Sequence, residues 1–172
     1  MGIKGKKVVV LVEEGYQDLE VWYPYLRLKE EGAQVFSVAP EKKTYQGKNG
    51  YPIEVDAGIR EIRANNFDAI VIPGGWAPDK LRRNKQVVEL VKKLFYDGKV
   101  VSSICHGGSL LVSAGVLKGK TATSFDAIKD DMIYAGADWV DKEVVVDGNL
   151  VTSRKPSDLP AFCRETIRLL SK

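Results

Sequence analysis

Two residues able to do covalent chemistry stand side by side in this sequence, Cys105 and His106, and His106 is the only histidine among 172 residues. The run before them, Val100–Ile104, is rich in β-branched residues and is typical of a buried strand. Two glycines follow the pair, and Ser109–Ala114 predicts the opening of a buried helix. The pair therefore lies at a predicted strand-to-helix turn, where the positive end of the helix favours a reactive thiolate.

The competing interpretation is that Cys105 is an ordinary buried thiol, because free cysteines commonly fill protein cores. The order of strand, Cys-His pair, glycines and helix favours a nucleophile instead. We assign the second cysteine, Cys163, to core packing, because it lies among apolar residues of the final predicted helix. One histidine and two distant cysteines provide no set of metal ligands, so we expect neither a metal nor another cofactor.

The loop after the first predicted strand is acidic, with Glu13, Glu14, Asp18 and Glu20 within eight residues. A dinucleotide-binding or P-loop protein needs glycines and bare N–H groups at this place to hold phosphates, so the loop argues against nucleotide binding. We expect Glu13, Glu14 and Asp18 on a solvated face. Glu20 falls within the following helix, where we expect it to be partly buried.

Another loop, Pro73-Gly74-Gly75, follows a buried apolar run and could place backbone N–H groups close to Cys105. Two such donors would form an oxyanion hole for a tetrahedral adduct on the sulfur. A plain turn is the competing interpretation, since this tripeptide is common turn chemistry.

The elements that must position these residues alternate along the chain, and the alternation predicts a parallel sheet covered on both faces. The predicted fold is a three-layer α/β sandwich with a mostly parallel, flavodoxin-like central sheet and a nucleophile elbow at Cys105. In such sheets ligands bind at the carboxyl ends of the strands. The acidic loop, the Pro73-Gly74-Gly75 loop and the turn at Cys105 should therefore converge there. The predicted strands are Lys7–Val12, Gln34–Ala39, Phe67–Ile72, Val100–Ile104, Thr121–Ser124 and a hairpin of Glu143–Asp147 with Leu150–Ser153, and the predicted helices are Gln17–Glu31, Asn84–Tyr96, Ala127–Ala135 and Asp158–Leu170.

Length and charge narrow the class of protein further. The chain fits one domain spanning residues 1–172. Its net charge of +3, from 26 basic and 23 acidic residues, gives no reason to expect nucleic acid or a membrane as partner. The first apolar run, Val8–Val12, is too short for a signal peptide or a membrane span. Two cysteines make no disulfide framework, so we expect a reducing, cytoplasmic location.

Several motifs spread over nearly the whole length carry a family resemblance. They are Glu20 with Tyr23-Pro24, Phe67-Asp68-Ala69 through Pro73-Gly74-Gly75, Ser103-Ile104-Cys105-His106-Gly107, Leu117-Lys118-Gly119-Lys120, Ala135-Gly136-Ala137, Glu143-Val144-Val145-Val146-Asp147 and Val151-Thr152-Ser153-Arg154. With these motifs the sequence closely resembles the PfpI family of intracellular cysteine peptidases. That family lies in the class I glutamine amidotransferase-like superfamily, which includes the parkinsonism-associated protein deglycase.

The resemblance implies a role for each candidate residue. Cys105 would be the nucleophile and His106 its base, and the backbone N–H groups of Gly75 and His106 would be the oxyanion donors. Glu20 would hydrogen-bond the thiol. We expect Glu20 to be a buried, neutral donor, because an ionised carboxylate beside the sulfur would raise the pKa of the thiol.

The resemblance also implies a homodimer or a homohexamer in which a carboxylate reaches the histidine of a neighbouring subunit. Asp79 stands at that position here, where related peptidases have Glu. Gly108 stands where the family has Pro, and we expect it to loosen the turn without removing a catalytic group.

The candidate activities differ in the electrophile that Cys105 attacks. Our leading hypothesis is hydrolysis of small dicarbonyl adducts of amino groups, formed from methylglyoxal or glyoxal, as in protein deglycase or glyoxalase chemistry. An intracellular peptidase acting on small peptides is the alternative enzyme. A redox-responsive stress protein or chaperone is the non-enzyme alternative. A glutamine amidotransferase needs a distant histidine, which this chain lacks.

Overall fold

Seven strands form one central sheet in the computed structural model, which describes residues 2–172. The strands of the protein are β1 (Lys7–Leu11), β2 (Gln34–Ala39), β3 (Thr44–Gln46), β4 (Pro52–Glu54), β5 (Ala57–Gly58), β6 (Ala69–Ile72), β7 (Val100–Ile104), β8 (Thr121–Ala122), β9 (Asp138–Trp139), β10 (Val144–Asp147) and β11 (Leu150–Ser153). The helices are α1 (Asp18–Glu30), α2 (Ala77–Leu81), α3 (Lys85–Tyr96), α4 (Gly108–Ala114), α5 (Lys129–Tyr134) and α6 (Leu159–Leu170).

The central sheet runs in the spatial order β10-β11-β7-β6-β1-β2-β5. Neighbouring strands are parallel except β10, which pairs antiparallel with β11 as the predicted hairpin. The order β2-β1-β6-β7-β11 is that of a flavodoxin-like sheet, and the chain reverses its direction of winding between β1 and β6. The predicted mostly parallel α/β sheet is therefore confirmed.

Burial explains the apolar runs that predicted the inner strands. Every residue of β6 and β7 is buried, because helices cover both faces of the sheet at that point. Helices α1 and α6 pack together on one face, and α3 and α4 pack together on the other. This arrangement makes the three predicted layers.

Two smaller sheets lie outside the central one. The polar segment after β2 forms the antiparallel hairpin β3–β4, and β8 pairs in parallel with β9. The predicted strand Thr121–Ser124 is thus shorter than expected and joins no strand of the central sheet. Helix α2, which begins directly after the Pro73-Gly74-Gly75 turn, was not predicted, because five residues are too few to show a helical period. Among residues 2–172, no helix combines the length and apolar character that crossing a membrane requires.

Candidate active site

The loops after β1, β6 and β7 meet at the carboxyl ends of these adjacent strands, as predicted. Tyr16 and Gly75 form a β-bridge that ties the first two loops together. The backbone N–H of Gln17 donates to the carbonyl oxygen of Gly74 at 3.2 Å, and that of Trp76 donates to Gly15 at 2.8 Å. These contacts hold the loops after β1 and β6 against each other beside the turn that carries Cys105.

Cys105 occupies the strand-to-helix turn in a backbone conformation that side chains rarely adopt. Within residues 2–172 it is the only residue other than glycine with a positive φ, 61°. A left-handed residue costs on the order of 1–2 kcal/mol, which the surrounding contacts must offset. One such contact is the backbone N–H of Phe125, which donates to the carbonyl oxygen of Cys105 at 3.3 Å. The thiol itself is buried, with 8% of the residue exposed.

The imidazole of His106 lies beside the sulfur. Nδ1 of His106 is 3.4 Å from Sγ of Cys105, and the ring stacks on Phe125 with 5.0 Å between ring centroids. Burial lowers the pKa of His106, the positive charge of Lys48 lowers it further, and Asp126 opposes both. The ring is therefore neutral at neutral pH and can accept a proton from the thiol.

Glu20 is completely buried at the start of α1, more deeply than the sequence predicted. Its Oε2 accepts a hydrogen bond from the backbone N–H of Gly74 at 2.7 Å, and its Oε1 has no hydrogen-bond partner. Burial raises the pKa of Glu20 to about 7, against the opposing effects of the Gly74 N–H, the Cys105 thiol and the charge of Lys48. Glu20 is thus partly protonated near neutral pH, and its role as a donor to sulfur stays a prediction.

The pKa of Cys105 is also raised, to about 12. Burial is the largest cause and the negative charge of Glu20 the next, while the backbone N–H groups of His106 and Gly75 lower the pKa. The helix terminus was expected to favour the thiolate, and desolvation outweighs that effect. Because Glu20 and Cys105 each disfavour the other's anion, the thiol keeps its proton at neutral pH.

A glycine makes this proximity possible. A Cβ added to Gly74 would lie 2.5 Å from Oε2 of Glu20 and 2.8 Å from Sγ of Cys105. Only hydrogen fits there, so Gly74 allows the carboxyl and the thiol to approach the same point. The predicted oxyanion donor Gly75 follows directly, with φ 77°.

A cavity of about 680 Å³ opens over these groups. Besides the predicted residues, its lining includes others that the sequence did not single out, and among them are Lys48, Lys80, Arg82 and Phe125. Lys48 comes from the hairpin β3–β4, more than fifty residues before the cysteine in sequence. Nothing in the local pattern around these four residues ties them to Cys105.

Asp79 lies exposed on α2 and lines the same cavity. In the part of the chain that the structure describes, no hydrogen bond or ion pair joins it to His106. Its predicted action on a neighbouring subunit stays a prediction.

Asp18 does not lie on a solvated face as expected, because it is buried. One of its oxygens, Oδ2, accepts hydrogen bonds from the backbone and side-chain nitrogens of Asn49 at 2.9 and 3.1 Å. The other, Oδ1, accepts from the backbone N–H of Tyr51 at 3.1 Å. The carboxylate therefore caps the turn of the hairpin β3–β4. The prediction was wrong because those N–H groups come from a segment thirty residues away. Glu13 and Glu14 are half-buried.

Gly108 adopts ordinary helical angles, φ −55° and ψ −27°. A Cβ there would lie 2.8 Å from Sδ of Met132 and 3.1 Å from Cδ1 of Ile128. These two side chains occupy the space beside the turn, so the turn is packed where we expected it to be loosened. Cys163 is buried in α6, and burial raises its pKa to about 12, in agreement with core packing.

The fold and the site define a class of α/β proteins with a candidate cysteine nucleophile. The sheet is flavodoxin-like, and a buried cysteine with a half-buried histidine lies at the strand-to-helix turn beside its switch point. The chain belongs to the DJ-1/PfpI family, whose model matches residues 6–169.

Curated relatives and solved structures agree with this assignment. The chain is 50% identical to "Deglycase PfpI" of Pyrococcus furiosus over 95% of this chain and 99% of that one. It is 42% identical to "Putative cysteine protease YraA" of Bacillus subtilis, over 96% and 98%. It is 41% identical to "Protein/nucleic acid deglycase 2" of Escherichia coli, over 96% and 98%. A crystal structure of a two-domain protein from Anabaena variabilis, with DJ-1/ThiJ/PfpI-like and ferritin-like domains, superposes with a TM-score of 0.94. It is 43% identical over 96% of this chain and 48% of that one.

Proposed function

We propose that this protein is a cysteine-dependent hydrolase of the deglycase type, which removes methylglyoxal or glyoxal adducts from amino groups. The observation that carries the proposal is the Cys105 thiol, 3.4 Å from His106 Nδ1, with a cavity above it. The deglycase names of relatives that match nearly the whole chain support the same activity.

The geometry accounts for the first chemical step. Sγ of Cys105 bonds to the carbinolamine carbon of the adduct as its C–N bond breaks, and the thiol proton passes through Nδ1 of His106 to the departing amine. In the hemithioacetal that remains, the hydrogen on the sulfur-bearing carbon moves to the neighbouring ketone carbon, and the N–H groups of Gly75 and His106 accept the negative charge that develops on oxygen. The ketone is thus reduced as the sulfur-bearing carbon is oxidised, which gives a lactoyl thioester without an external oxidant. Water then hydrolyses the thioester, which releases lactate and restores the thiol. Overall, a methylglyoxal adduct and one water give the free amine and lactate.

A peptidase acting on small peptides is the second candidate. The same nucleophile and base would cleave an amide, and the relative named as a putative cysteine protease favours it. In both candidates Cys105 forms a covalent bond to carbon.

We further propose that the protein works in the cytoplasm as a homodimer or homohexamer, with Asp79 acting on the partner subunit. Two free cysteines are consistent with a reducing compartment. Asp79 is exposed at the cavity and unpaired with its own His106, which leaves its carboxylate available to a second subunit.

The deciding experiment measures lactate released from methylglyoxal-treated amino acids, with peptide hydrolysis assayed in parallel. We expect lactate release by wild-type protein, no release by Cys105→Ala and nearly unchanged release by Cys163→Ser. Peptide cleavage without lactate release would favour the peptidase. Stress protection that survives in Cys105→Ala, together with no lactate release by the wild-type protein, would favour the non-enzyme alternative.

A further inference from the structure

Lys48 is an exposed residue that lines the cavity containing Cys105. Its Nζ lies 5.4 Å from the centre of the Trp76 ring, and both residues line the cavity. Its positive charge is close enough to lower the pKa values of Glu20 and His106. The ammonium group therefore shares with the sulfur the cavity that a substrate must enter.

Buried contacts hold the turn that carries Lys48. The backbone N–H of Lys48 donates to the carbonyl oxygen of Tyr16 at 2.7 Å, and the Tyr16 hydroxyl donates to the carbonyl oxygen of Tyr51. The buried carboxylate of Asp18 accepts the N–H groups of Asn49 and Tyr51 described above. A Cβ on Gly47 would overlap that carboxylate, so the turn sits against it without a gap. These contacts thus fix the backbone position of Lys48.

The charges around the cavity leave its positive groups without carboxylate partners. Lys48, Lys80 and Arg82 line it, and in residues 2–172 none of them forms an ion pair within 4 Å. Arg82 donates through Nε to the hydroxyl of Ser113 at 2.9 Å, a neutral partner. The lining carboxyls are the buried Glu20 and the exposed Asp79. A cavity with three such cations attracts an anionic ligand.

We propose that Lys48 is a specificity-determining residue that selects substrates carrying a carboxylate within a few bonds of the carbon attacked by Cys105. The preferred class would be dicarbonyl adducts of α-amino acids with a free carboxylate, ahead of adducts on neutral amides. This assignment of substrate class rests on the proposed function. The attraction between Lys48 and the carboxylate is a charge-assisted contact near solvent, so it weakens as salt is added.

Alkylation of Cys105 tests this selection without any turnover. Iodoacetate and iodoacetamide both transfer a CH₂ carbon to Sγ with loss of iodide, and they differ in carrying a carboxylate or a neutral amide. The measured quantity is the ratio of the two alkylation rates at Cys105, followed by mass spectrometry in a Cys163→Ser background. We expect Lys48→Met to lower the iodoacetate-to-iodoacetamide ratio about threefold to fivefold, the range of a partly exposed ion pair.

Matched variants show whether the change in the alkylation ratio comes from the positive charge at position 48. Lys48→Arg keeps the charge and should keep the ratio. Lys43→Met removes a lysine that precedes the same hairpin, pairs with Glu41 at 3.6 Å and does not line the cavity, and it should leave the ratio unchanged. Added salt should lower the wild-type ratio toward that of Lys48→Met. An unchanged ratio in Lys48→Met would overturn the proposal.

Turnover of a matched substrate pair separates this inference from the proposed function. Methylglyoxal adducts of alanine and of alaninamide differ only in the carboxylate. We expect Lys48→Met to lose the preference for the alanine adduct through KM, with the ratio of the two kcat/KM values falling about threefold to fivefold. If neither adduct is hydrolysed but the alkylation ratio still depends on Lys48, the proposed function fails and the anion selectivity stands. If both adducts are hydrolysed and Lys48→Met leaves the ratio of their kcat/KM values unchanged, the proposed selectivity is wrong and the proposed function stands.

Discussion

Oε2 of Glu20 accepts a hydrogen bond from the backbone N–H of Gly74 at 2.7 Å, and this contact places the carboxyl on the same side of Gly74 as the Cys105 sulfur. The two acidic groups therefore share one dehydrated pocket. In such a pocket each group disfavours the charged form of the other, which makes the proton on Glu20 part of the chemistry. Oε1, which lacks a partner, is the atom free to carry that proton.

Glu20 should make the stability of the protein depend on pH. Its pKa rises from an ordinary value of 4.5 to about 7 in the folded protein, a difference worth roughly 3 kcal/mol. The folded state holds the proton more tightly, so the contribution of Glu20 to stability is fully present below pH 4.5 and is lost as pH rises to about 7. Glu20→Gln cannot ionise and should exceed the wild type in free energy of unfolding by up to about 3 kcal/mol above pH 7.

Urea denaturation at a series of pH values measures this difference. Glu143→Gln, which changes an exposed carboxylate, is the control and should show no such dependence. A Glu20→Gln variant less stable than wild type at alkaline pH would contradict a buried carboxylate. Titration of the thiolate absorbance, with Cys163 replaced, should also give a lower Cys105 pKa in Glu20→Gln, because the second largest cause of the raised value is removed.

Gly74→Ala should damage the site through sterics alone. The new Cβ would lie 2.7 Å from Cβ of Cys105 and 2.8 Å from its Sγ, so the carboxyl and the thiol must separate. We expect a loss of about 1–3 kcal/mol in stability from overpacking, together with a loss of at least about tenfold in kcat/KM.

The control for Gly74→Ala is Gly2→Ala, where a Cβ meets nothing within 4 Å. Thermal unfolding and lactate release check both variants. A fully active, fully stable Gly74→Ala protein would mean that Glu20 and Cys105 do not approach each other through this glycine.

Asp18→Asn should loosen the turn that carries Lys48. The amide keeps one acceptor oxygen but places an NH₂ group against a backbone donor, leaving at least one N–H of Asn49 or Tyr51 without its acceptor at the buried Asp18 side chain. We expect a loss of about 1–3 kcal/mol in the free energy of unfolding, and a fall in the iodoacetate-to-iodoacetamide ratio in the same direction as Lys48→Met.

Chemical denaturation and the alkylation assay read these two effects separately. Asp130→Asn, an exposed acid of α5, is the control. A destabilised Asp18→Asn protein with an unchanged alkylation ratio would show that Asp18 stabilises the hairpin without setting the position of Lys48.

Asp79, if it acts across a subunit boundary, should allow two inactive proteins to restore activity. Mixed oligomers of Cys105→Ser and Asp79→Ala subunits contain hybrid sites with one intact Cys105 and one intact Asp79. For randomly mixed dimers we expect roughly a quarter of the wild-type activity, since half of the dimers are hybrids with one good site each.

The control mixture combines Cys105→Ser with Cys105→Ala and should stay inactive. Mixing must be verified by native mass spectrometry of the exchanged subunits. Verified hybrids without recovered activity would show that Asp79 is structural or serves its own chain.

Local patterns in the sequence were enough to predict the sheet and the position of the nucleophile. The strand of Val100–Ile104, the glycines after His106 and the helix beyond them are set by neighbouring residues, because β-branched runs and glycine breaks act over a few positions. The parallel order followed from alternating strands and helices, and it placed the loops of Glu20, Gly75 and Cys105 at one edge of the sheet.

The protonation states of the site came only from the tertiary structure. The helix terminus beside Cys105 is visible in the sequence, whereas the desolvation that outweighs it depends on all the atoms packed around the sulfur. The same holds for the depth at which Glu20 is buried, because sequence spacing gives a helical face but not what covers it.

Long-range contacts decided the rest. Asp18 meets Asn49 and Tyr51 across more than thirty residues, and Lys48 reaches the cavity of Cys105 across more than fifty. Such pairings leave no periodic pattern in the local sequence, because the shape and hydrogen-bond donors of the surface that the hairpin meets determine where it packs. The amino-acid sequence therefore determined which groups could react, and the tertiary packing determined which charges surround them.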